Sequence, residues 1–261
     1  MMRAGHAITG LCAGLAAAPA LGVTSPSAVV LGGVVTAGAA LLPDLDHPGA
    51  TASRRLGRLT RGLSHGLRAC SASLYAATKG PRDENGNGKH RHMTHSLLFA
   101  VLLGALVWFG SQLAAEWHPA AGFAAVVAPV LFCLMLAQAQ FGHWVAVATT
   151  AAAMPILTGQ DGPVAAMNDL AGPIGVLIGL GCFVHCLGDA ITKAGCPFLF
   201  PIPIAGETWY EIRPPAFLRF RAGGRVEKVL TTVVFIPLAV WLLLITLAPL
   251  DPTGLMATIG L

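Results

Sequence analysis

Hydrophobic and polar positions in this chain fall into long blocks, not into the short alternation of a sheet protein. Apolar and small residues run almost unbroken over 6–22, 28–43, 95–115, 121–140, 142–158, 172–192 and 229–249. A helix crossing the roughly 30 Å hydrocarbon core of a bilayer needs about 20 such residues, and fewer where protein covers its ends. The pattern predicts an all-α, polytopic transmembrane helix bundle of about seven membrane segments, forming a single domain over 1–261. The fourth and fifth segments are parted only around "QAQFGHW", residues 138–144.

Between the second and third segments the pattern changes. Leu56, Leu59, Leu63, Leu67, Cys70 and Leu74 recur at steps of three and four, while Arg54, Arg55, Arg58, Arg61 and Arg68 fall largely off that stripe. This predicts an amphipathic helix lying on the membrane surface. "KGPRDENGNGKHRH" (79–92) follows as a turn-rich loop. "AGCPFLFPIP" (194–203) is apolar but broken by prolines, so it is expected as a non-helical lip over the end of the sixth segment.

Composition supports a membrane chain: 55% of residues are hydrophobic and 11% charged, against about 25% charged in soluble domains. Charge placement adds a topology. Of the sixteen Lys and Arg, one is Arg3, nine lie between Arg54 and Arg91, and six lie between Lys193 and Lys228. The basic stretches 50–94 and 193–228 are therefore expected on the cytoplasmic side, with the N-terminus cytoplasmic and the C-terminus external. Counting segments four and five separately keeps both stretches on one side; merging them does not. Arg3, the apolar run and "AAAPALG" share the layout of a signal peptide, but a second apolar run follows at once, which argues that His6 is retained. The six cysteines show no paired spacing, so no disulfide framework is expected.

Several side chains are out of keeping with so apolar a chain. His6 opens the first segment, Asp44, Asp46 and His47 close the second in "LLPDLDHPGA", Thr94 and His95 open the third, and His185 and Asp189 lie in the last turns of the sixth. On the topology set by Lys and Arg alone, seven potential metal ligands (His6, Asp44, Asp46, His47, His95, His185 and Asp189) reach one membrane depth. Imidazole with carboxylate suits Zn, with Mn as an alternative, and the number of donors allows one or two divalent ions per chain. Thr94 is expected as the N-cap of the third segment. Arg91 would bind a substrate phosphate. His143 is a further candidate ligand, though a buried hydrogen-bonded histidine is the simpler reading. Cys182 and Cys186 are expected to pack between helices, and His65, His92 and His118 carry no role. No H-E-x-x-H motif is present, which sets aside the commonest metalloprotease arrangement.

These residues resemble a known family. "GH" at 5–6, "LLPDLDHP" at 41–48, "HRHMTHSLL" at 90–98 and "HCLGDAITKAGCP" at 185–197 are similar, in order and in spacing to apolar segments, to the YdjM-type family of bacterial inner-membrane proteins described as metal-dependent hydrolases. The resemblance implies that His6, Asp44, Asp46, His47, His95, His185 and Asp189 form the metal set. It implies catalytic roles for Asp44, His90, Arg91 and Asp189, although Lys89 stands where glycine is common. The chain departs from short family members in a longer insert at 116–172. The implied protein is a hydrolase of the bacterial cytoplasmic membrane, in contact with lipids, acting on a phosphoester or lipid-like substrate and not on nucleic acid. Two alternatives use the same ligands: a divalent-metal or proton transporter, and a metal-stapled structural membrane protein. A transport site would lie nearer the midplane, with polar residues continuing outward.

Overall fold

The computed structural model describes residues 1–83, 86–142 and 169–248, which are mostly helical and include no strand. Isolated bridges pair Thr192 with Phe220, Cys196 with Ile212 and Ile204 with Glu207. The helices are α1 (Arg3–Ala20), α2 (Pro26–Ala39), α3 (Thr51–Arg54), α4 (Arg58–Thr78), α5 (Leu97–Trp117), α6 (Pro119–Phe141), α7 (Ile174–Ala190) and α8 (Arg225–Leu247). Four apolar stretches are long enough to cross a membrane: Pro26–Asp46, Leu97–Trp117, Pro119–Phe141 and Arg225–Leu247. Helix α7 is apolar but shorter, and α1, with Arg3 at its start, is not among the four. The expected count of about seven is therefore not reproduced, and the expected segment at 142–158 and His143 lie outside the described residues.

Helix α2 is apolar on every side, the pattern of a helix enclosed by others. Its stretch is 89% buried, against 17% for α5 and 11% for α8. Helices α1, α6 and α7 surround it. Small residues make that enclosure possible. A Cβ on Gly38 would lie 1.9 Å from the Cys133 carbonyl oxygen of α6, and one on Gly181 would lie 2.6 Å from Thr36 O. Backbone touches backbone at both crossings, as small-residue interfaces permit between membrane helices.

The helix ends are set by local chemistry. The Ser25 side chain caps α2, with Pro26 at the first helical position. Ser96, not Thr94, caps α5, accepting from the Phe99 N–H at 3.2 Å. His118 caps α6 through Nδ1 and the Ala120 N–H. Pro237 lacks a donor for the preceding turn, and α8 widens into a π turn over Leu230–Phe235 immediately before it.

The expected surface helix forms as α4. Its buried side chains are Thr60, Ser64, Ser71 and Tyr75; of the leucine stripe, Leu56, Leu59 and Leu63 are exposed, whereas Leu67 and Leu74 are half-buried against the protein. The proline-broken segment is non-helical as expected. It packs Phe200 on Trp209 with ring centroids 3.8 Å apart, and Phe198 O accepts from the Leu97 N–H at the start of α5. Asp83 accepts from the N–H groups of Gly80, Thr208 and Trp209, tying the two loop regions together.

Candidate metal centre

Helices α1 and α5 begin, and α2 and α7 end, at the same end of the bundle, because the ligand-type side chains at those termini meet. Helix α8 starts there too: Glu227 accepts from the N–H groups of Met2 and Gly223. His6, His95, His185 and Asp189 are each 0–1% exposed. Two triads lie close enough to hold one ion, namely His6 with His185 and Asp189, and Asp44 with His95 and His185.

Hydrogen bonds fix the ring orientations. His185 Nδ1 lies 2.7 Å from the Ala40 carbonyl, an acceptor only, so Nδ1 carries the proton and Nε2 a lone pair. Thr94 Oγ1 donates to Asp46 Oδ2 at 2.7 Å and lies 3.0 Å from His95 Nδ1, from which it accepts. His95 Nε2 is then also a lone pair. The two Nε2 atoms face each other at 3.2 Å. Asp189 Oδ2 lies 3.6 and 3.8 Å from them, and Asp44 Oδ1 3.9 and 4.0 Å. In the neutral rings these two lone pairs repel unless a proton or a metal ion lies between them. Donor atoms around a tetrahedral zinc are about 3.3 Å apart, given Zn–N bonds of about 2.0–2.1 Å, so these residues fit such an ion. His6 completes the wall. Its ring stacks on His185 at 3.8 Å, Nε2 is 3.3 Å from Asp189 Oδ1, and its buried Nδ1 has no partner. Gly188 makes room for it, since a Cβ there would lie 3.1 Å from that nitrogen.

Two expected ligands are placed elsewhere. Asp46 is fully buried but outside both triads. It accepts from the Thr94 hydroxyl, from the Arg91 N–H at 3.0 Å and from His90 Nδ1 at 2.6 Å, and lies 3.6 Å from His95 Nδ1. A carboxylate placed so against a histidine is the usual outer partner where such a histidine holds a metal. His47 is exposed: the turn Pro43–Asp46 ends in extended backbone that leaves it at the rim, where its ring meets that of His90 edge-on at 4.8 Å and its Nδ1 accepts from the Gly49 N–H. Cys182 and Cys186 are buried packing residues, with Cys182 Sγ against Ala39 O.

Arg91 and His90 border the cluster. Arg91 has φ 58°, a left-handed conformation rare outside glycine. That backbone aims its N–H at Asp46 and its Nη2 at Asp189 Oδ2, 3.3 Å away. His90 is 34% exposed. His92 packs against Tyr75 and Trp209, and burial lowers its pKa below the ordinary value. The Thr94 hydroxyl, the Ala40 carbonyl and Gly188 belong to the site but were not singled out from sequence for these roles. Only the glycine inside "HCLGD", one residue before Asp189, left a signal.

Fold and cluster together define an α-helical membrane protein with a buried His/Asp group able to hold a metal ion at one end of its bundle. The model of the YdjM inner membrane protein family matches residues 1–250, and the chain belongs to that family. Searches of curated proteins and of solved structures returned no match.

Proposed function

We propose that the chain is a membrane-embedded, metal-dependent hydrolase whose centre lies at the cytoplasmic face and acts on a phosphoester of a lipid or lipid-like substrate. The observation that carries this reading is the opposed pair of Nε2 lone pairs on His95 and His185, with Asp44 and Asp189 beside them and Arg91 at the rim. His95, His185, Asp44 and Asp189 would hold the ion, with His6 next to them. Zinc suits that donor set, with manganese as the alternative. One ion is the natural number: Nδ1 of His185 is committed to Ala40, so the single Nε2 lone pair shared by both triads serves one centre.

When bound, a divalent ion supplies Lewis acidity and a water that ionises near neutral pH. The chain's own groups supply the rest. The Arg91 guanidinium neutralises a phosphate oxygen in competition with Asp189. Asp46 holds His90 through Nδ1, leaving Nε2 turned to solvent as a proton acceptor or donor. Burial of the ligands among α1, α2 and α7 excludes bulk water from all but the rim.

The test is metal analysis of protein purified in detergent, for the wild type, His185→Ala and Asp189→Ala, beside cleavage of a panel of phosphoesters and phospholipids. About one Zn or Mn per chain, lost in both variants, with metal-dependent cleavage, supports the reading. No bound metal in the wild type, or bound metal without cleavage of any member of the panel, refutes it.

A further inference from the structure

Two cavities have wall residues within two or three positions of the cluster along the chain, and they differ in character. The first is an apolar groove of about 370 Å³ along the seam of α5 and α7. Leu97, Val101, Ala105, Trp108, Val176 and Phe183 line it, and Val101, Trp108 and Val176 are exposed to the outside of the bundle. Its floor is backbone, because the seam lacks side chains: a Cβ on Gly104 would lie 2.8 Å from Gly175 O, and one on Gly179 3.0 Å from Ala100 O. The second is a polar cavity of about 350 Å³ between the loop regions, walled by Tyr75, His92 and Trp209 and by charges of both signs, Arg213 and Arg219 beside Asp83, Glu207 and Glu211, with Arg213 paired to Glu211.

The segment 90–97 joins them. His92 belongs to the polar cavity, His95 to the cluster and Leu97 to the groove. On α7 the groove ends at Phe183, two residues before the cluster residue His185, a rise of about 3 Å. The groove runs from Leu97 to Phe109, about 18 Å of helix. One leaflet offers about 15 Å of hydrocarbon depth, half of the 30 Å core. We infer that the groove holds an acyl chain of a glycerophospholipid whose polar part lies at the metal cluster, with the polar cavity receiving the far end of the head. The length matches one leaflet's chain, the walls are apolar throughout the membrane part, and the groove ends beside two cluster histidines. The proposal names the substrate class for the hydrolase reading and rests on that reading in taking the cluster for the reacting centre.

The experiment reads lipid binding, not turnover. Full-length protein in detergent micelles is mixed with dioleoyl phosphatidylglycerol or with its dihexanoyl analogue, and native mass spectrometry counts the lipid retained. Wild type is expected to keep one dioleoyl lipid per chain and to release the dihexanoyl one. Ala105→Phe and Val176→Phe fill the groove from opposite walls and are expected to weaken retention about tenfold, about 1.4 kcal/mol. Leu106→Phe, at a 68% exposed position outside the groove, leaves retention unchanged. Thermal melting of each variant verifies that it is folded. His185→Ala retains the long-chain lipid even without metal, so retention stands if the hydrolase reading fails. Equal retention in Ala105→Phe, Val176→Phe and wild type overturns the groove, as does equal retention of the short-chain lipid, even where a soluble phosphoester is still cleaved.

Discussion

Removal of the Asp46 carboxylate separates two roles that adjacent acids can play. Asp46→Ala takes away the acceptor for Thr94 Oγ1, the Arg91 N–H and His90 Nδ1. His90 is partly exposed and can turn to water, but Thr94 is fully buried and the Arg91 N–H is held inward by its backbone. Two donors left unpaired cost about 1–3 kcal/mol each, so a stability loss of about 2–6 kcal/mol is expected. The second effect is on His95, which loses the carboxylate that, through Thr94, fixes its ring. Loss of such an outer partner weakens metal binding about 10- to 100-fold, or about 1.4–2.7 kcal/mol. Asp46→Asn keeps one acceptor oxygen and is expected to recover part of the stability but not the full affinity. The assay is competition with a chelator of known zinc affinity, alongside thermal melting of the metal-free protein. Binding abolished as completely as in His185→Ala would make Asp46 a ligand and refute its assignment as the residue that orients His95. Wild-type affinity in a destabilised Asp46→Ala variant would refute the coupling between the two.

Chelation should lower the melting temperature of the wild type, because an ion at 100 times its dissociation constant adds about 2.7 kcal/mol; in His185→Ala the same treatment should change nothing. Gly38→Ala should destabilise the bundle by about 2 kcal/mol or more, since its Cβ meets a backbone carbonyl of α6 that cannot turn aside, while metal per folded chain stays the same; wild-type melting would refute the close crossing. Arg91→Gly and Arg91→Ala should lose phosphoester cleavage alike, yet the glycine variant should be more stable by about 1 kcal/mol because only it relaxes at φ 58°. Equal stability of the two would refute a strained backbone at that position.

That His and Asp side chains of several apolar segments meet at one end of the bundle was legible from hydropathy and the placement of Lys and Arg, because membrane spans impose length and direction; the count of about seven segments was not reproduced. His6, Asp44, His95, His185 and Asp189, the members of the two triads, were among the side chains so placed. Adjacent residues in a tight turn did not. Asp46 and His47 are neighbours in sequence, but the turn over Pro43–Asp46 directs one into the bundle and the other out to solvent, and no periodicity tells them apart. Thr94 and Ser96 are equally good caps by composition. The two-residue difference frees the Thr94 hydroxyl for Asp46 and could be read only from where the helix begins. The leucine stripe of α4 was visible as a stripe, but which face the protein covers depends on Ser71 and Tyr75 finding partners in distant loops.

The same geometry bears on the choice between an enzyme and a transporter. A transported ion needs a succession of polar groups across the bundle, since a bare charge in the hydrocarbon costs several kcal/mol or more. Among the described residues, the buried polar side chains of α2 beyond the cluster are Thr36 and Ser27, and Thr36 spends its hydroxyl on the Gly32 carbonyl of its own helix. The buried residues of α7 toward its start are Ile174, Gly175, Leu177, Ile178, Gly181 and Cys182. The enclosed helices thus offer ligands at one end and apolar packing elsewhere. Asp44 and Asp189 lie at the C-terminal ends of α2 and α7, where the helix dipoles oppose a negative charge. The Met1 ammonium and Arg91 lie against Asp189 at that end and offset the opposition there, and a metal ion held by the cluster would offset it further. Flux of zinc or protons through proteoliposomes, abolished in His185→Ala, would overturn this argument; retained metal with no flux is the expected result.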